Sequence, residues 1–182
     1  MLHFDFGDCD ATTPDALKRY LVEKLDAMAK ARGVTLTRSG PSARFSELIT
    51  TLGETNEVVV LIDEYDKPIL ENINRDVIED IRLVLEGFYA VIKTTESVQR
   101  FALLTGVSKF SKVSVFSKLN NLTDLTMNAK FACGLGYTQD ELEQGFSEYF
   151  EQTAAQKNIS REDLISQLKE WYNGYTFHQD AP

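Results

Sequence analysis

A chain of 182 residues, 43% apolar and 26% charged, has the length and balance of one ordinary folded domain rather than a disordered segment. Its net charge of −9 argues against sequence-blind coating of DNA, which depends on Lys and Arg neutralising phosphates. The longest apolar run, Val58 to Ile62, is too short to cross a bilayer, and no basic-then-apolar leader opens the chain, so a cytoplasmic protein without a membrane partner is expected.

In chain order, Leu2 to Phe6 alternates apolar and polar residues as a half-buried strand does, and Gly7 ends it. A strand opening at residue 2 leaves little of the disposable chain with which domains usually begin. The chain is therefore expected to be cut from something longer. Thr13-Pro14 reads as an N-cap with proline at the first helical position, and Leu17, Tyr20, Leu21, Leu25 and Met28 carry the helix to Gly33. Thr35 to Arg44 is polar and loop-like, and Phe45, Leu48, Ile49 and Leu52 predict a short second helix ended by Gly53.

Val58 to Ile62 is β-branched and unbroken by polar residues, the mark of a parallel strand covered by helices on each side. After it comes a long helical pattern from Val77 to Ile92, then another strand at Phe101–Thr105. Strand, helix, strand, helix, strand predicts an α/β fold with a right-handed, helix-covered parallel sheet. Beyond Thr123 the pattern is helical only. Thr138 and Glu141 form a capping box for a helix through Phe150, and Ser160 caps another through Leu164, Leu168 and Trp171. Residues 1–123 are thus expected to form the α/β core and 124–182 a helical subdomain whose aromatic residues serve its core.

Ligands of open α/β sheets bind at the carboxyl ends of strands, so the three strand ends carry the chemistry. Asp63 and Glu64 follow the second strand. In nucleotide hydrolases an Asp there holds Mg²⁺, a hard cation that prefers oxygen ligands, and the Glu orients or deprotonates the attacking water. Adjacent strand residues point to opposite faces, which suits two acids with different tasks. The competing structural reading has both acids capping the next turn. Thr105 and Ser108 end the third strand, where a hydroxyl can position that water. Lys109 follows as a point charge for a phosphate oxygen. It belongs to a stretch from Ser97 to Thr123 with four basic residues, Arg100, Lys109, Lys112 and Lys118, and no acid. Asp5 reads as structural. His3 and His178 form no metal pair, and Cys9 and Cys133 read as free thiols.

Three ordered blocks then carry a family resemblance: VVVLIDEYDKPIL at 58–70, FALLTGVSKFSKVSVFSKLNNLTDLTM at 101–127 and WYNGYTF at 171–177. They resemble the bacterial AAA-ATPase-like family, in which a P-loop ATPase domain often precedes a restriction-endonuclease-like nuclease domain. The resemblance implies Asp63 as the Mg²⁺-side Walker-B acid, Glu64 as the water-activating acid and Thr105 as sensor 1, with ATP and Mg²⁺ as cofactors. It places the P-loop strand beyond the sensor-1 strand, so Phe101–Thr105 is expected as an exposed edge and as a surface for a homo-oligomer.

One departure is large. Family members carry a GxxxxGK[ST] loop that cradles the β- and γ-phosphates, and no Gly-Lys dipeptide occurs in this sequence. ATP binding and hydrolysis are therefore expected of a longer parent protein, with this chain inactive alone, whether it is a cut piece or a natural remnant. Any nucleic-acid contact is expected only through the parent. The alternative is a non-catalytic regulatory or protein-interaction module. A metal-dependent nuclease built on Asp63, Glu64 and Asp66 would want a base beside them, and Lys67 is the nearest.

Overall fold

The computed structural model describes residues 1–107, 119–134 and 136–172. Strands β1 (Leu2–Asp5), β2 (Val58–Asp63) and β3 (Gln99–Leu104) lie parallel in the order β1-β2-β3. Leu2 stands beside Val60, and Val60 beside Ala102. Parallel neighbours need long crossovers. Helices α1 (Pro14–Lys30) and α2 (Pro41–Gly53) supply the first, and α3 (Lys67–Leu70) and α4 (Ile78–Thr94) the second. The α/β class read from the sequence is the one observed.

Local chemistry sets the helix ends. The Thr13 hydroxyl accepts from Ala16 N at 3.1 Å, satisfying one of the free amides at the start of α1. The chain leaves α1 through Gly33, whose φ of +69° is the left-handed conformation that glycine adopts without a steric penalty. Helix α2 starts at Pro41, inside the stretch expected to be loop, because proline at the first turn gives up no needed hydrogen bond.

The core lies on one face of the sheet. Leu2, Phe4, Val58, Val60 and Ile62 pack with Leu21 and Leu25 of α1, Phe45 and Leu48 of α2, and Ile81, Leu85 and Phe88 of α4. The rings of Phe45 and Phe88 stack at 4.6 Å, and Phe4 meets both edge-on. The opposite face departs from expectation. His3 and Asp5 are exposed, Val59 and Leu61 are half-buried, and Phe101 and Leu103 are 51% and 38% exposed. Helices were expected on both faces of β2, yet among the described residues they cover one. A run of valines reads alike in either case; the alternation in β1 was the better guide.

The chain divides into two units after Leu122. In the second, the Thr138–Glu141 capping box opens α5 (Gln139–Gly145). Phe146 then separates it from α6 (Ser147–Lys157), so the single helix expected through Phe150 is two. Asn158, at φ +52°, turns the chain toward α7 (Arg161–Tyr172), and Ser160 Oγ accepts from Asp163 N at 3.0 Å. Phe150, Ala154 and Leu164 are buried together with half-buried Ile165 and Leu168 around them. The other aromatic residues do not fill this core as expected: Tyr149, Trp171 and Tyr172 are 68%, 81% and 78% exposed. Helical spacing places aromatic residues on a helix without saying how far a small core reaches along it.

Candidate functional site

The parallel register brings the ends of the three strands side by side. Asp5 is the partner of Asp63, and Thr105 follows Leu104, the partner of Ile62. Backbone bonds continue past the strands: Phe6 N donates to Asp63 O at 3.1 Å, Thr105 N to Ile62 O at 2.9 Å, and Tyr65 N to Thr105 O at 3.0 Å. Asp63 is exposed at the centre of this row. Its Oδ1 accepts from the Thr105 hydroxyl and from Glu64 N, the latter at 3.0 Å. Its Oδ2 carries no hydrogen bond among the described residues.

Glu64 leaves the strand rather than continuing it. Its φ is +51°, left-handed and uncommon for a residue with a side chain. This turn, not the alternation of a strand, directs its carboxylate toward the loop after β1. A Cβ built on Gly7 would lie 3.5 Å from Glu64 Oε2 and 2.9 Å from Asp5 Oδ1. Gly7 therefore leaves room for two carboxylates, and its own N–H donates to Asp5 Oδ1 at 2.7 Å. Lys67 fastens the same loop by donating to Gly7 O, and its ammonium also faces Glu71 at 3.7 Å. From α1, the Tyr20 hydroxyl bonds to Asp5 O and to Asp8 Oδ1, the second at 2.9 Å. That hydrogen bond, with help from Lys24, holds the Asp8 carboxyl below the usual carboxylate range.

The structure thus brings the side chains of Asp63 and Thr105 together and turns the Glu64 carboxylate toward Gly7. Lys109 and Ser108 lie outside the described residues. Gly7 and the bridging role of Lys67 were not visible in the sequence, because both depend on a contact sixty positions away. The Asp5 side chain closes its own turn, as a structural residue does.

Residues 1–116 match the family described as "Predicted AAA-ATPase". The chain belongs to this family. The match takes in all three strands of the AAA-ATPase-family unit and every residue of the candidate site. A relative, described as "Uncharacterized protein in vnfD 5'region" of Azotobacter chroococcum mcd 1, is 36% identical over 184 aligned residues. The alignment covers 100% of this AAA-ATPase-family chain and 34% of the relative, so the chain spans about a third of that protein. No solved structure matches.

Among the described residues no group of three His, Cys, Asp or Glu side chains is placed to hold a metal, and no helix is long and apolar enough to cross a membrane. Mg²⁺ in nucleotide sites needs no such group, since one or two carboxylates, water and substrate phosphates complete its shell. An exposed Asp63 with one oxygen fixed by Thr105 and Glu64 N fits that donor set.

Proposed function

We propose that this chain is the Walker-B and sensor-1 portion of an ATP-hydrolysing domain. The observation that carries the reading is the meeting of Asp63, Glu64 and Thr105 at adjoining strand ends, with the Thr105 hydroxyl on Asp63. Mg²⁺ bound there would neutralise charge on the β- and γ-phosphates. Asp63 would offer an oxygen to that ion, directly or through water, with its rotamer held by Thr105. Glu64, whose carboxylate lies near Gly7, would take the proton of the attacking water. Lys109 supplies a point charge for a phosphate oxygen.

These residues supply the water-and-metal end of the reaction. The sequence contains no GxxxxGK[ST] cradle for the phosphates, so we assign turnover to a longer parent that provides one, and little or none to this chain alone. The test is Mg·ATP hydrolysis by a chain that includes such a segment. Glu64→Gln keeps the shape and removes the acid, and should lower kcat by about 10²- to 10⁴-fold. Undiminished turnover would overturn the assignment.

The missing Gly-Lys dipeptide supports a second reading, a non-catalytic regulatory or protein-binding module. Absence of Mg·ATP binding in the longer chain would favour it. A nuclease built on the same acids is disfavoured, because the Lys67 ammonium that would serve as its base is bonded to Gly7 O and faces Glu71.

The same reading gives β3 a partner. Among the described residues it is an edge strand, and its own Phe101 and Leu103 are exposed. Unpaired edge backbone invites another strand. In this chain alone a second copy would occupy it, so light scattering should show mass rising with concentration and Leu103→Lys should abolish the rise. A concentration-independent monomer would sink the idea. Any nucleic-acid contact belongs, on this reading, to the parent protein.

A further inference from the structure

Asp66 is 1% exposed, in a turn where the neighbouring Asp63 and Glu64 face solvent. It stands at the N-terminal boundary of α3, yet its side chain makes no capping bond to that helix. Its Oδ1 instead reaches the segment after β3, where it lies 3.4 Å from Val107 N and accepts its N–H. Gly106 is closer still: a Cβ there would come 2.5 Å from Asp66 Oδ1 and 2.8 Å from Tyr65 Cε1. The φ of Gly106 is not positive, so the position demands space rather than unusual conformation. A glycine lets the carboxylate approach the backbone.

The segment 105–107 has little else to hold it. Thr105, Gly106 and Val107 are all exposed, and the Val107 side chain is 83% so. Among the described residues, Asp66 is the buried side chain that reaches them. Among the described residues they are tied down by backbone bonds with Ile62 and Tyr65, by the Thr105 hydroxyl on Asp63 and by the contact with Asp66. Tyr65 is itself fixed from below, because the fully buried Tyr89 of α4 donates its hydroxyl to Tyr65 O at 2.9 Å. A buried carboxylate is costly unless hydrogen bonded, and its several acceptor sites suit the task of gathering backbone donors.

We propose that Asp66 and Gly106 form a latch that sets Thr105 against Asp63 and fixes the direction in which the chain leaves β3. Asp66 is a positioning residue: it is buried and acts through Thr105. The catalytic consequence rests on the reading of Asp63, Glu64 and Thr105 as a hydrolytic centre; the mechanical part does not.

Amide hydrogen exchange of this chain tests the mechanical part. Asp66→Ala removes the acceptor and should speed exchange at Thr105 and Tyr65 by about tenfold or more, with Phe4 and Leu21 unchanged. Asp66→Asn retains an oxygen of the same shape and should stay within about threefold of the parent sequence. Gly106→Ala leaves Asp66 in place but blocks the approach, and should reproduce the Asp66→Ala pattern even if that variant fails to fold. Unchanged protection of Thr105 and Tyr65 in Gly106→Ala overturns the latch. In a longer chain that hydrolyses ATP, Asp66→Ala should lower kcat about tenfold with KM moved less than about threefold, and Asp66→Asn should restore kcat. Equal kcat in Asp66→Ala and the parent overturns the positioning role. Turnover that survives Glu64→Gln overturns the hydrolytic reading alone and leaves the exchange result standing.

Discussion

Glu64 shows how much one backbone angle decides. A side-chain-bearing residue held at φ +51° costs about 1–3 kcal/mol, and such residues collect where function needs a fixed direction. Glu64→Gly should remove that cost while losing the acid. Glycine's larger entropy loss on folding offsets part of it, so a net gain of about 1 kcal/mol should raise the melting midpoint by about 2–4 °C in a thermal scan, and on the proposed reading ATP turnover in a longer chain should fall as for Glu64→Gln. The cysteines differ as sharply. Burial, with the nearby acids Glu71 and Asp10 adding to it, pushes the Cys9 thiol up to about 12, whereas Cys133 is exposed. A thiol reagent at pH 8 should label Cys133 in the native chain and Cys9 only after denaturation. The sign of the pH effect follows. The folded value lies above the ordinary 9.0, so the contribution of the protonated Cys9 is complete below pH 9 and is lost as pH rises toward 12. The urea midpoint should fall across that interval, and Cys9→Ala should flatten the fall.

At the scale of elements, close packing gives sharper expectations than helix patterns do. Gly53 reads in sequence as a helix terminator, but it is the last residue of α2 and has no positive φ. Its use is spatial: a Cβ there would meet Val98 Cβ at 2.6 Å, where the 3₁₀ turn Glu96–Val98 leads into β3. Gly53→Ala should destabilise by about 1–3 kcal/mol in chemical denaturation. Phe88, stacked on Phe45 and edge-on to Phe4, should cost about 3–5 kcal/mol when truncated to Ala. Elements governed by local chemistry were legible: the Thr13-Pro14 start of α1, the capping box at Thr138 and the apolar runs of β2 and β3 each lie within a few residues of the signal that specifies them. So was the central acid pair, because a strand end is a local feature. The closeness of Glu64 to Gly7, the Lys67 bridge and the Asp66–Gly106 approach were not legible, since each joins segments that only the fold brings together. The open face of β2 was missed for a different reason: valine and isoleucine satisfy a half-covered strand as well as a fully covered one.

At the scale of the molecule, the two units have cores of unlike size. The first gathers residues from every strand and from α1 to α4, while the second buries Phe150, Ala154 and Leu164 among its described residues. We propose that the second is a separate helical subdomain of lower local stability. Leu164→Ala should then speed amide exchange throughout α6 and α7 and leave β1 to β3 protected; a uniform loss across the chain would count against it. That the described helices cover one face of the sheet has a consequence for the first unit as well. Unfolding releases new apolar surface mainly from one face, because Phe101 and Leu103 are already wetted and Val59 and Leu61 partly so. The urea dependence of its free energy should be shallow for its length, and its heat-capacity change should fall below the usual value of about 12–15 cal/mol/K per residue. A partner bound on that face would steepen both, and calorimetry would detect such a cover without knowing its identity.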